Sequence, residues 1–359
     1  MHRNWTSAIA LALVTGVAAP AAATETITIS VIDGYPARSM WLQELTGFFI
    51  PEVDRLLAET GNYRIEWQEN YGGSIVRPSG VLEGLALGLG DMGVVTTIFH
   101  SSPLPSQAIS AVTPMISTDA RVVARVVEEI AREFPTMRRE FEENNQVYLA
   151  TGVVLDTYQL YSRRPVSGLA DVEGGRVAGA GMNLRYIEGI PNAAGVRGGL
   201  TEFYNMLQTG LADFALLWPE SAATFRIAEV APYMIKADFG AVNTKTLTAN
   251  IDFWNSLPQE VQDAIEQASM AYSEHVAEVA MAIADESLAS YIAAGGTVVE
   301  LTEEERREWA MSMPDIALEW ARVLDDKGDP GTEMLMAYIE KLREAGFEPV
   351  RDWTAGLSN

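Results

Sequence analysis

Two glycines separated by one residue, Gly179 and Gly181, follow a short apolar strand in the stretch RVAGAGMNLRYIEGI and precede a predicted helix. This order is typical of a loop that binds the phosphates of a dinucleotide, in which a third glycine lets the helix pack closely on the strand. The third position here is Leu184, and Glu202, about twenty residues further on, lies in a predicted helix instead of at a strand end. The stretch therefore argues against a dinucleotide site and indicates a pocket of another kind.

Residues that could support catalysis are few. The chain has no cysteine, and after the N-terminal segment its histidines are His100 and His275. No HExxH helix, GxSxG turn or metal-spaced set of carboxylates occurs. We expect His275, inside a long predicted helix, to be solvated or to lie between lobes, while His100 follows a predicted strand without partners that would complete a triad. The sequence therefore predicts no enzyme, no cofactor and no metal site.

The charge balance limits the kinds of partner. The chain carries 25 basic and 49 acidic residues, a net charge of −24. Such an acidic protein repels nucleic acid and anionic lipid surfaces, so we expect neither as a partner. For the same reason, any site for an anionic solute needs positive groups close by.

The N-terminus has the layout of a secretory signal peptide. Arg3 provides the positive charge, residues 8–18 form an apolar core, and Ala21, Ala22 and Ala23 offer a small-residue cleavage site. The apolar run is too short to span a bilayer, and no other segment reaches eighteen uninterrupted apolar residues. We predict removal of residues 1–23, export, and no stable membrane insertion. An N-terminal anchor is the alternative.

The first half of the mature chain alternates strands and helices. Strands are predicted at the start of the chain, ending at Asp33–Tyr35, at residues 63–70, and at residues 91–97, ending at Thr96–Thr97. Helical patterns separate them, which favours a parallel sheet. Ligands of such sheets bind beyond the carboxyl ends of the strands. Asp33, Tyr35 and Thr96 are therefore candidate ligand contacts.

A second α/β unit and a long helix follow. The helix has Ser256 as a candidate cap and Pro258 in its first turn, and it continues to about Ala293, before two glycines. Its length of roughly 50 Å suits a brace between two lobes. We predict lobe I at residues 24–152 with a returning segment at about 226–256, lobe II at 153–225, the bridging helix at 257–294, and C-terminal helices at 295–359.

Four stretches, in this order and spacing, carry a family resemblance: VLEGLALGLGDMGVV, YSRRPVSGLADVEGGRV, LTEFYNMLQTGLADFALLWP and NSLPQEVQDAIEQA. The chain resembles the DctP-like solute-binding proteins of tripartite ATP-independent periplasmic (TRAP) transporters. The resemblance implies an α/β, two-lobe periplasmic binding protein fold with a long bridging helix. It also implies a periplasmic receptor that closes over one small organic solute and delivers it to a TRAP membrane permease. An ABC-type solute-binding protein is the alternative, and a periplasmic enzyme is a weaker one.

The chain departs from the family where relatives hold their solute. Counted from Asp171, the family arginine that pairs with a substrate carboxylate is replaced by Ala178, and Arg176 falls on the preceding basic position. A second arginine of many carboxylate-binding members is replaced by Tyr158. The resemblance thus implies an aromatic pocket that is short of positive charge. We expect a ligand other than a typical C4-dicarboxylate.

Leu217 and Trp218 stand before the closing proline of the family signature, where relatives carry a polar residue. The Trp218 ring either faces the ligand, where it could stack on a planar group, or packs in the core. Both residues are taken as candidate contacts.

Two further candidates lie in the stretch RVAGAGMNLRYIEGI. Asn183 is near a predicted helix N-terminus, whose free N–H groups favour an anion. Arg185 follows Gly181 by four residues, so on an α-helix it would share the ligand-facing side one turn deeper. The alternative is that Arg185 points to solvent or pairs with Glu188. Arg77 could approach from lobe I, or lie on the surface.

Overall fold

The computed structural model describes residues 23–357. The predicted signal peptide lies outside the described residues, apart from Ala23 at its end. None of the helices between residues 23 and 357 combines the length and the apolarity that crossing a bilayer requires.

The strands of the described residues form two sheets. They are β1 (Glu25–Ile32), β2 (Tyr63–Asn70), β3 (Met92–Thr96), β4 (Gln146–Leu155), β5 (Gln159–Ser162), β6 (Arg176–Gly179), β7 (Ala194–Arg197), β8 (Phe214–Leu217), β9 (Tyr233–Lys236), β10 (Val242–Asn250) and β11 (Thr297–Glu300).

The helices surround these strands. They are α1 (Met40–Glu44), α2 (Ile50–Ala58), α3 (Val81–Ala86), α4 (Ala120–Glu133), α5 (Thr136–Glu142), α6 (Leu200–Thr209), α7 (Pro219–Thr224), α8 (Ile251–Ser256), α9 (Gln259–Ala293), α10 (Glu303–Ser312), α11 (Ile316–Asp326) and α12 (Gly331–Glu344). A π-helical turn, Leu45–Phe49, joins α1 to α2, and Gly181–Ile187 forms a 3₁₀ helix.

Each of the two sheets is the centre of a lobe. The sheet of lobe I has five strands in the order β2-β1-β3-β10-β4, and that of lobe II has six in the order β11-β9-β5-β8-β6-β7. In lobe I the strands β1, β2 and β3 run parallel, as their alternation with helices predicts. The returning strand β10 lies antiparallel between β3 and β4. Its insertion makes the sheet mixed.

In the structure the chain returns to lobe I later than residue 226. Strand β9 pairs with β5 in the sheet of lobe II, and the chain rejoins the sheet of lobe I at β10. Strand β11, from the segment predicted as C-terminal helices, pairs with β9 and completes lobe II. Short strands of this kind have too few residues for their alternation to stand out from a loop.

The long helix α9 packs on both lobes. The Tyr272 hydroxyl donates to the Trp41 carbonyl of lobe I at 2.8 Å, and the Tyr291 hydroxyl donates to the Ala231 carbonyl of lobe II at 2.8 Å. Both tyrosines are buried. The helix thus fixes its two ends to different lobes. The predicted cap, Ser256, instead ends α8 and donates to the Phe253 carbonyl at 2.6 Å.

Two connections cross side by side between the lobes. One joins β4 to β5 through Asp156, Thr157 and Tyr158, and the other joins β9 to β10 at residues 237–241. They are hydrogen-bonded to each other, since the Tyr158 N–H donates to the Gly240 carbonyl at 3.3 Å and the Phe239 N–H donates to the Tyr158 carbonyl at 3.1 Å. We call these paired connections the hinge ribbon.

Candidate functional site

A cavity of about 20 Å³ lies where strand ends of both lobes meet. Lobe I contributes Tyr35, Thr96, Ile98, Phe99, Thr244 and Lys245, and the hinge ribbon and lobe II contribute Tyr158, Ala180, Asn183, Leu200, Phe203, Leu216 and Trp218. This volume holds about one water molecule and is well below the range for small-molecule sites, about 300–1,000 Å³. Most of its lining is aromatic or aliphatic, with a few polar groups, which is the usual composition of such sites.

The cavity is narrow because the two lobes touch beside it. Gly181 of lobe II has φ +57°, and a Cβ placed on it would lie 2.1 Å from the Ile98 carbonyl oxygen of lobe I. The Tyr186 hydroxyl of lobe II donates to the Ala111 carbonyl of lobe I at 2.7 Å. Only glycine permits both this backbone conformation and this close approach. Contact between the lobes therefore depends on the glycine that the sequence places beyond β6.

Aromatic rings surround the ammonium group of Lys245. Its Nζ lies 3.9 Å from the ring centroid of Trp41, 5.5 Å from that of Tyr35 and 5.8 Å from that of Trp218. The side chain is 2 % exposed, and burial lowers the pKa of its ammonium while the nearby Asp33 and Glu220 carboxylates oppose that shift. Cation–π attraction offsets part of the desolvation penalty of the charged form.

Asp33 lies behind the rings at the end of β1. Its Oδ1 accepts the Tyr35 N–H at 2.7 Å and its Oδ2 accepts the Trp41 indole N–H at 3.4 Å. Burial raises the pKa of the Asp33 carboxyl, and these donors together with the charge of Lys245 hold the rise in check. The carboxyl group thereby orients the Trp41 ring and fixes the backbone at Tyr35.

On lobe II, Glu220 orients Trp218. One carboxyl oxygen accepts the indole N–H of Trp218 at 3.1 Å and the Ser221 hydroxyl at 3.0 Å, and the other accepts the Thr224 hydroxyl at 2.7 Å. The Trp218 ring then stands 5.4 Å from that of Tyr158, tilted by 54°. The two rings form one wall of the cavity at a spacing typical of aromatic pairs.

Five of the predicted contact residues meet at this cavity: Tyr35, Thr96, Tyr158, Asn183 and Trp218. Asp33 lies in the next layer. Leu217 points elsewhere, since it is fully buried in β8 opposite Gln159, and its neighbour Leu216 lines the cavity instead. Contact of these residues with a solute stays a prediction.

The structure places Arg185 away from this cavity. Its guanidinium pairs with Glu188 at 2.6 Å and with Glu319 at 2.9 Å, and it lines a separate surface recess beside α11. The segment after Gly181 is a 3₁₀ helix with about three residues per turn, so a residue four places on is rotated away from the side that the glycine faces. The structure shows the alternative to the predicted solute contact, in which Arg185 pairs with Glu188 outside the cavity.

The remaining basic and histidine candidates are engaged elsewhere or lie apart. Arg176 forms a two-pronged pair with Asp213, with both N–O distances 3.1 Å, and Arg77 is exposed. His275 bonds to Glu44 at 2.7 Å and stacks on Phe48.

The buried His100 is outside the cavity lining. Among residues 23–357 no cluster of His, Cys, Asp or Glu side chains is arranged to hold a metal ion.

The residues that the sequence did not predict are Lys245, Trp41 and Glu220. Lys245 carries the clearest signal, because it is the charged residue of an otherwise uncharged strand, VNTKTLTAN, in which every residue is buried. A charge in such a strand indicates a functional or paired group.

A family comparison matches this architecture. Residues 52–322 match the family model described as bacterial extracellular solute-binding protein, family 7 (DctP). The chain therefore belongs to this family of two-lobed solute-binding proteins, which are transport receptors and not enzymes.

Two curated relatives show how far the sequence similarity extends. The ectoine-binding periplasmic protein TeaA of Halomonas elongata is 29% identical over 152 residues, which cover 41% of this chain and 42% of TeaA. The C4-dicarboxylate-binding periplasmic protein DctP of Rhodobacter capsulatus is 29% identical over 110 residues, 30% of this chain and 33% of that protein. The matched stretches thus span less than half of either curated relative.

The solved structure of DctP7, an extracytoplasmic solute receptor of Bordetella pertussis that binds pyroglutamic acid, has 19% identity and a TM-score of 0.75, and covers 87% of this chain and 99% of that one. At this identity the match shows the shared two-lobe fold.

Proposed function

We propose that this protein is the periplasmic receptor of a TRAP-type transporter, which binds a small organic acid between its lobes and delivers it to the membrane permease. The single observation that carries the proposal is the interlobe cavity, lined by rings and hydroxyl groups around one ammonium group. Family membership and the acids named for its relatives support it.

The same cavity supports an acid with one carboxylate over a C4-dicarboxylate. The position of the family arginine is Ala178, which is fully buried in β6, and the neighbouring Arg176 is held by Asp213. A bidentate, charge-assisted pair of the kind that arginine makes is worth about 1.5–3 kcal/mol, and an alanine cannot replace it. A dicarboxylate would place its second charge among rings and the buried Asp33.

Thermal-shift and calorimetric screens of the mature protein test the proposal. The panel comprises pyroglutamate, benzoate, succinate, malate, neutral sugars and free amino acids. We expect at least one monocarboxylate to raise the melting temperature, because a ligand that binds only the folded state stabilises it. Absence of any stabilisation by organic acids, with a neutral sugar or a cation binding instead, would refute the proposed class of solute.

A further inference from the structure

Lys245 reaches the cavity from lobe I with hydrogen-bonding capacity to spare. It stands on β10 opposite Thr96 of β3, and both side chains line the cavity. The ammonium group has three donors, and its hydrogen bond within the described chain is to the Thr244 hydroxyl at 3.3 Å. The Thr96 hydroxyl is buried without a partner. Buried polar groups of this kind are normally satisfied, so a pair of them indicates room for a polar ligand atom.

The ammonium group is also without a close counter-ion. Among the described residues, no ion pair within 4.0 Å includes Lys245. Asp33 receives its hydrogen bonds from Tyr35 and Trp41, and Glu220 receives its own from Trp218 and two hydroxyl groups. Burying a charge without a paired counter-charge costs free energy, and an anionic ligand supplies that counter-charge.

The other cations that the sequence offers do not fill this role in the structure. Arg176 is paired with Asp213 on the exposed edge of β6, and Arg185 is paired with Glu188 and Glu319 beside a different recess. Lys245 is the charged side chain in the lining of the cavity.

We infer that Lys245 is the specificity-determining cation of the cleft, and that it binds the carboxylate of a solute with a single acid group and a planar or apolar body. This inference rests on the proposed function. The Thr96 hydroxyl donates to the same carboxylate. The cation belongs to lobe I, whereas the position of the family arginine, Ala178, belongs to lobe II.

The surroundings of the ammonium define the rest of the solute. Because Lys245 Nζ lies over the rings of Trp41, Tyr35 and Trp218, a carboxylate bound to it directs its substituent along the wall of Tyr158 and Trp218. That wall continues into Leu200, Phe203 and Leu216. A flat ring stacks against these side chains, while a second carboxylate would find no second cation in the lining.

The test compares an acid with its own neutral amide. The acid is the tightest monocarboxylate of the screen, and its primary amide has the same shape without the charge. Calorimetry measures both compounds with wild type, Lys245→Met, Lys245→Gln, Lys245→Arg and, as a matched control at a cation outside the cavity, Arg185→Ala. Melting temperatures establish that each variant is folded.

We expect Lys245→Met and Lys245→Gln to weaken binding of the acid by roughly 10- to 100-fold, as expected for loss of a charge-assisted hydrogen bond. The amide should bind with little change, so that the preference for acid over amide falls toward one. Lys245→Arg should retain part of the preference, and Arg185→Ala all of it.

Unchanged acid preference in both neutral variants, or its loss in Arg185→Ala, would overturn the assignment of Lys245 while leaving the receptor function intact. Failure of wild type to bind any organic acid would instead overturn the proposed function, and with it this inference.

Discussion

Asp156 offers a test of the structure that needs no ligand. It lies in the hinge ribbon, is 2 % exposed, and neither of its carboxyl oxygens has a hydrogen-bond partner among the described residues. Burial, together with the nearby charge of Glu220, raises the pKa of this carboxyl well above its ordinary value of 3.8. The folded protein therefore holds Asp156 protonated at a pH where the unfolded chain has it ionised.

The sign and size of the effect follow from this difference. A group whose pKa is higher in the folded state contributes stability that is fully present below its unfolded pKa and is lost as pH rises toward the folded pKa. Each pH unit in that interval changes the free energy of unfolding by about 1.4 kcal/mol. Asparagine has the same shape and does not titrate. The stability of Asp156→Asn relative to wild type should therefore increase as the pH rises from 5 to 7.

Urea unfolding of both proteins at pH 5, 6 and 7 measures this gain. Asp326→Asn, at an exposed position, is the control. A difference between Asp156→Asn and wild type that stays constant over this range would refute the reasoning, since it would mean that Asp156 is ionised in the folded protein.

Further expectations concern closure and selectivity. Gly181→Ala should weaken solute binding and leave the lobes more open in small-angle scattering, because the added Cβ would meet the Ile98 carbonyl. Gly174→Ala is the control, since Gly174 has a similar φ of +66° and open space around it. This variant should have the same backbone strain as Gly181→Ala and bind solute normally. Wild type should become more compact when a tight ligand is added, and scattering curves that do not change would contradict a hinge motion. Succinate and malate should bind weakly or not at all because of Ala178, so submicromolar affinity by calorimetry would disprove that expectation.

Much of the fold could be predicted from periodicity. Strand β2 and the long helix α9 match their predictions nearly residue for residue, because Gly61 precedes β2 and α9 lies between Pro258 and Gly295. The order of β1, β2 and β3 also predicts which residues lie at the ligand edge, and Tyr35 and Thr96 line the cavity.

The remainder depends on contacts between distant parts of the chain. Lys245 could not be placed because the predicted return of residues 226–256 to lobe I does not show that β10 inserts between β3 and β4. The position of Arg185 depended on whether its short helix has α or 3₁₀ geometry. Both geometries suit a seven-residue segment, and the packing of Gly181 against Ile98 accompanies the tighter one.

The hinge ribbon restricts the movements available to the lobes. We expect the two hydrogen-bonded connections to bend more easily across their common plane than within it, and α9, which is bonded to both lobes, to limit the rotation further. In a rotation about the ribbon we expect Tyr158, which lies within it, to move little and Trp218 to move with lobe II. A solute that enters between separated lobes would then first meet Tyr158 and the Lys245 ammonium of lobe I. We therefore expect Tyr158 and Lys245 to orient the solute before the Trp218 ring encloses it.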